Sequence, residues 1–287
     1  MNQDNERTSL TDPPSEGVDT DRVRRMYDDH TDLFARIWGE NLHFGYWGSG
    51  VADTSVAEAT DRMTDELLTR LPCSPQEHVL DVGCGVGLPA LRLARSRRVR
   101  VTGVSISVPQ VSRARANAEE SGLSDDVTFR YGDAMELPFA DDTFDAAWAL
   151  ESLHHTSDRT RALREIGRVV RPGGALAVAD FVLTGPVYGR ERDTVEAFRA
   201  GGGVRSLGTI EDYVDDLRRA GLDVVETLDV SIQARPSLTR HAEFFRNERH
   251  RLVPHMGERE VDRMIRTLER LGDMPQAGYV LLSARVP

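Results

Sequence analysis

With 287 residues, 39% of them hydrophobic, the chain is long enough for one large domain with its own core. Its net charge of −11 argues against a nucleic-acid partner, because an acidic surface repels phosphate backbones. No apolar run reaches the roughly 18 residues of a membrane span, no signal-peptide core precedes Gly17, and Cys73 and Cys84 do not suggest a disulfide framework; a cytoplasmic protein is expected.

Residues 1–18 are polar, carry Pro13-Pro14 and read as a disordered lead. Asp21 to Ile37 reads as one or two helices with polar faces, and Asn41 to Gly48 as an aromatic, glycine-rich loop. Ser55 to Leu71 is amphipathic, with Val56, Ala59, Met63, Leu67 and Leu71 at helical spacing. Strand and helix signals then alternate. Strands are expected at His78–Val82, Val99–Val104, Val127–Tyr131, Phe144–Leu150 and Ala175–Phe181, and helices at Pro89–Arg95, Pro109–Ser121 and Arg159–Val170. Such alternation predicts a parallel sheet wrapped by helices. Arg171-Pro172-Gly173-Gly174 should break the last helix.

Beyond Leu183 the pattern changes. Glu191–Ala200 and Ile210–Ala220 look helical, separated by Gly201-Gly202-Gly203. Asp223–Ile232 alternates like a strand, Leu238–Leu271 is mostly helical with interruptions near Pro254 and Gly257, and Ala277–Ala284 reads as a closing strand. The expected organisation is an N-terminal helical cap (19–72), an α/β core (73–235), a helical lid (236–273) and a closing strand (274–287).

The chemistry is carried by Val79-Leu80-Asp81-Val82-Gly83-Cys84-Gly85-Val86-Gly87. A strand, an acid, glycines at alternate positions and a helix start place backbone N–H groups and a helix N-terminus beside a ligand. A dinucleotide site would want G-x-G-x-x-G and an acid about 20 residues on. Here Gly87 comes one position early, and the second strand ends in serines. The chain contains no lysine, which removes the phosphate-binding P-loop.

This segment resembles the first motif of the class I S-adenosylmethionine-dependent methyltransferases. The resemblance implies a Rossmann-like α/β fold with a seven-stranded sheet, mostly parallel with the last strand antiparallel, and helices on both faces. It implies S-adenosyl-L-methionine as cofactor and S-adenosyl-L-homocysteine as product. It assigns Asp81, Gly83, Gly85 and Gly87 to the cofactor loop, and Asp133 and Ala134 to the adenine. It further assigns Ser107 and Gln110 to the ribose in place of the usual acid, the Leu150 backbone to the methionine ammonium, and Tyr27 to a tyrosine that closes on the cofactor.

His154 and His155 follow the fourth strand, and Asp180 ends the fifth, its neighbour in such a sheet. Imidazole titrates near pH 6.5, about right for a base at cellular pH. Two histidines and a carboxylate could also form a metal triad, but adjacent residues of an extended segment point in opposite directions, and no metal is expected. The stretches Phe34–Trp47, Trp148–His155, Ala197–Gly203 and Ala277–Leu281 resemble the rebeccamycin-type sugar 4′-O-methyltransferases of indolocarbazole biosynthesis. That resemblance implies methylation of a sugar hydroxyl on a glycosylated small molecule, with His154, His155 and Asp180 catalytic. Transfer to nitrogen or carbon of another metabolite, a nucleoside-binding module without catalysis, the identity of the acting histidine and the choice between monomer and homodimer all stay open.

Overall fold

The structure, a computed structural model, describes residues 23–25, 27–29, 41, 43–48 and 54–287. Of the expected N-terminal helices, the described residues 23–25 and 27–29 are helical, and the rest of 21–37 lies outside the described residues, as does the polar lead. Helix α1 (Val56–Thr69) starts at a capping box, in which Ser55 and Glu58 satisfy each other's backbone N–H groups.

The core is a seven-stranded sheet of order β3-β2-β1-β4-β5-β7-β6. The strands are β1 (His78–Val82), β2 (Arg100–Ser105), β3 (Val127–Tyr131), β4 (Phe144–Leu150), β5 (Val170–Leu183), β6 (Asp223–Asp229) and β7 (Ala277–Arg285). β1 to β5 run parallel, and β7 inserts antiparallel between β5 and β6. Helices α2 (Leu88–Arg97), α3 (Val108–Glu120) and α4 (Arg159–Val169) supply the crossovers. β4 buries Ala146, Trp148 and Leu150 in one apolar cluster and Ala147 and Ala149 in the other. Strands covered on both faces read as continuous apolar runs, which is why this half of the fold is legible from the residues.

Three expectations change in detail. β5 begins at Val170, so Arg171 to Gly174 belong to the strand rather than to a separate break. Gly174 is needed there, because a Cβ would lie 2.6 Å from the Asp145 carbonyl oxygen, and the β4–β5 register shifts between Phe144 and Ala146. β6 stops at Asp229, whose carboxylate accepts the Ser231 N–H at 2.8 Å and turns the chain into a short helix (Ser231–Ala234). The lid is three helices, Pro236–Asn247, Arg249–Met256 and Glu258–Asp273. Pro254 is carried inside the second, and the break falls at Gly257 with φ +82°.

The third lid helix packs against the first and against α5 (Gly189–Gly202); α6 (Ile210–Arg219) packs against α4. The carboxyl ends of β1, β2, β4 and β5 therefore open beneath the lid, where ligands sit in open α/β sheets. Among the described residues no helix is long and apolar enough to cross a membrane.

Candidate active site

Gly83, Gly85 and Gly87 hold φ of +78°, +53° and +87°, all in the left-handed region. Each glycine has its own reason. A Cβ on Gly83 would come 2.2 Å from Ser152 Cβ, and one on Gly87 2.5 Å from the Phe129 ring, but one on Gly85 meets nothing within 4 Å. The first and third glycines are thus packing requirements, and Gly85 faces open space. The turn is pinned by the Gly83 and Cys84 N–H groups, both donating to the Val104 carbonyl at 2.9 Å.

Asp81 is 2% exposed, lines the cavity, and has one carboxylate oxygen without a hydrogen-bond partner among the described residues. Burial pushes its carboxyl up to about 7. An unpaired buried carboxylate beside a glycine loop is what a polar or cationic ligand would satisfy.

At the end of β2, the cavity wall is Ser105, Ile106 and Gln110. Gln110 Oε1 accepts from the Ser105 hydroxyl at 2.7 Å. Ser107 is not on the wall. It caps α3, accepting the Gln110 N–H, and donates to Asp28 Oδ1 at 2.6 Å. Asp133, Ala134 and Leu150 line the cavity, and Asp133 Oδ1 also closes a local turn by accepting the Met135 N–H at 2.8 Å.

His154 and His155 sit in a 3-10 turn after β4, and the structure separates them. His154 Nδ1 is 2.5 Å from Asp180 Oδ1. Asp180 is fully buried and also accepts the N–H groups of His154 and Phe181 and the Tyr213 hydroxyl. Burial alone would raise the Asp180 carboxyl, but His154 and these donors hold it below the usual carboxylate range. A carboxylate accepts, so Nδ1 carries the proton, and in the neutral tautomer this leaves the lone pair on Nε2; His154 lines the cavity. The Arg205 and Ser206 N–H groups fix the His154 backbone through its carbonyl, at 2.7 and 2.9 Å.

His155 is held at both nitrogens. Nδ1 donates to the Gly203 carbonyl at 3.0 Å, and Nε2 accepts from the Tyr27 hydroxyl at 2.6 Å. Burial, helped by His154, lowers its pKa to about 3, so this imidazole is neutral. Among the described residues no group of side chains could hold a metal ion.

Glu151 was not singled out by the sequence. It follows β4 with φ +48°, a conformation that costs an ordinary residue about 1–2 kcal/mol. Its Oε1 accepts the Phe44 N–H at 2.6 Å and the Tyr279 hydroxyl at 2.7 Å, and burial pushes the carboxyl up to about 8. Nothing local announces it, since its partners lie 107 and 128 residues away.

The cavity that unites these groups has a volume of about 290 Å³. One end is the glycine loop with Asp81, Gln110 and Asp133. The other is apolar, walled by Phe181, Phe198, Val204, Phe245, Met264 and Leu268. Among the described residues no arginine lines it, and the chain has no lysine.

A family model described as a methyltransferase domain matches residues 80–178. The chain is 43% identical to the 27-O-demethylrifamycin SV methyltransferase of Amycolatopsis mediterranei, over 92% of this chain and 97% of that protein. It is 41% identical to methyltransferase GfsG of Streptomyces halstedii, over 95% and 98% of the two chains. Among solved structures, the (4+2) cyclase SpnF superposes with a TM-score of 0.82 at 36% identity, covering 93% of this chain and 97% of that one. The glycine loop, the unpaired Asp81 and the polar end of the cavity fit S-adenosylmethionine as cofactor. The chain belongs to the class I S-adenosylmethionine-dependent methyltransferases.

Proposed function

We propose that this protein methylates a hydroxyl oxygen of a large, neutral secondary metabolite, with His154 as the general base. The observation that carries the reading is the buried His154–Asp180 pair on the cavity wall. S-adenosylmethionine supplies a methyl group already activated on a sulfonium, so alignment accounts for much of the rate. A neutral alcohol is a weak nucleophile, and His154 Nε2 takes its proton as the new C–O bond forms. Asp180 holds the tautomer and stabilises the imidazolium that results. His155, spent on Gly203 and Tyr27, positions the N-terminal helix over the site. Asp81, Gly83, Gly85 and Gln110 hold the cofactor, with Asp133, Ala134 and Leu150 completing its end of the cavity; Ser107 contributes through the α3 cap.

The narrower acceptor is the sugar 4′-hydroxyl of a glycosylated indolocarbazole, supported by the stretches Trp148–His155, Ala197–Gly203 and Ala277–Leu281. The relative named for 27-O-demethylrifamycin SV supports the broader class of alcohol oxygens in bulky products. A second reading, transfer to carbon, draws on 33% identity to a sterol 24-C-methyltransferase of Gibberella zeae over 73% of this chain and 55% of that protein.

Incubation with labelled cofactor, a demethylated glycosylated indolocarbazole and 27-O-demethylrifamycin SV tests the proposal. A methyl ether on either acceptor is expected. Label found on carbon or nitrogen, or conversion without label, would overturn it.

A further inference from the structure

Glu151 takes no part in the steps above, yet its backbone is held in the left-handed region on the cavity wall. The fixed half of its carboxyl is Oε1, saturated by the Phe44 N–H and the Tyr279 hydroxyl. Oε2 has no hydrogen-bond partner among the described residues and is not among the enclosed orphan atoms. The side chain is partly exposed, and the surface it is exposed to is the cavity. His154 lies three positions on, in the 3-10 turn that follows, and lines the same cavity.

We infer that Glu151 is an acceptor-binding residue whose Oε2 hydrogen-bonds a second hydroxyl, next to the one that His154 deprotonates, so that the acceptor is a neutral vicinal diol such as a sugar ring. This rests on the reading of His154 as the base. Two groups three residues apart on one cavity wall can hold two adjacent polar groups of a ring. A hydroxyl suits Glu151 in either protonation state, because it both donates and accepts. Among the described residues the cavity wall carries no arginine, and the chain has no lysine, so none of these residues would neutralise a phosphate or carboxylate acceptor. The bland alternative is that Glu151 only fastens the 43–48 loop to β7.

The test is equilibrium binding to the full chain loaded with S-adenosylhomocysteine. The probes are a glycosylated indolocarbazole with a free sugar 4′-hydroxyl and its analogue lacking the neighbouring 3′-hydroxyl. The wild-type protein is expected to bind the diol about 2- to 12-fold more tightly, the range of a hydrogen bond to a neutral carboxyl. Glu151→Ala should bind both probes equally, with S-adenosylhomocysteine affinity unchanged. Glu151→Gln, which can keep both Oε1 bonds, should bind the deoxy probe as the wild type does. Equal affinity of the wild type for the two probes overturns the inference, and that arm needs no variant to fold. So does an equal loss on both probes in Glu151→Ala and Glu151→Gln, which is what mere fastening predicts. Methyl-ether formation on the diol probe is scored separately. A probe methylated on oxygen but bound no better than its deoxy analogue sinks only the Glu151 assignment, and discrimination without a methyl ether sinks only the transfer.

Discussion

Asp180 Oδ1 lies 2.5 Å from His154 Nδ1, while Oδ2 of the same carboxylate accepts the Tyr213 hydroxyl at 3.1 Å. The carboxylate is therefore held at both oxygens inside the core, and its orientation dictates that of the imidazole. Asp180→Asn can place its amide N–H toward Nδ1, which would then have to accept and turn the proton onto Nε2. Loss of base function should lower kcat by about 10²- to 10⁴-fold. S-adenosylhomocysteine affinity, measured by calorimetry, should be unchanged. His154→Ala should match it, and full activity in His154→Ala would end the base assignment.

Tyr27 and His155 make the opposite case. Their hydrogen bond at 2.6 Å ties the N-terminal helix to the turn after β4. Tyr27→Phe removes the hydrogen bond to His155, worth about 0.5–1.5 kcal/mol net. Amide exchange in residues 23–29 should rise by roughly 2- to 12-fold, the same free energy expressed as a ratio. The chemical step with bound substrates should change little. A loss of kcat as large as that of His154→Ala would transfer the catalytic role to His155.

Asp81 and His155 give the apo protein opposite pH dependences. The Asp81 carboxyl is raised from 3.8 to about 7, so the folded state holds the proton more tightly. Its contribution is fully present below pH 4 and is lost as pH rises through 7, of order 4 kcal/mol in all. Asp81→Asn should raise the apo Tm at pH 8, show no difference below pH 4, and weaken cofactor binding. His155 is lowered from 6.5 to about 3, so its contribution is present above pH 6.5 and is lost as pH falls toward 3. His155→Gln should flatten the acid limb of Tm against pH, and an unchanged limb would assign acid unfolding to other groups.

Gly83 and Gly85 separate packing from ligand space. Gly83→Ala meets Ser152 at 2.2 Å and φ +78°, and should destabilise the fold by about 2–4 kcal/mol in urea melts. Gly85→Ala meets nothing within 4 Å, and should cost only the left-handed backbone term of about 1–2 kcal/mol. It should nonetheless lower cofactor affinity more than Gly83→Ala does in the folded fraction. Equal cofactor affinity in wild type and Gly85→Ala would remove that residue from the cofactor wall.

β1, β2 and β4 were readable because they are buried on both faces, and β3 because it alternates, with Val127 and Phe129 buried and Thr128 and Arg130 exposed. The expected β6 overran to Ile232 because alternation continues past Asp229, whereas the Asp229 carboxylate accepts the Ser231 N–H and hydroxyl and turns the chain there. Ser107 looked like a ribose ligand from its position after β2, but a serine before a helix is as readily a cap, and the structure uses it so.

Local residue order was enough for the glycine-loop end of the cavity. A glycine loop acts through backbone conformations and short-range sterics, both written in consecutive residues. The end that carries Glu151 and the two histidines is different in kind. Glu151 is held by Phe44 and Tyr279, and His155 by Tyr27 and Gly203, partners that tens to more than a hundred positions separate. Which histidine keeps a free lone pair depends on which long-range partner reaches which ring nitrogen, and that choice exists only once the sheet and lid have closed around the cavity.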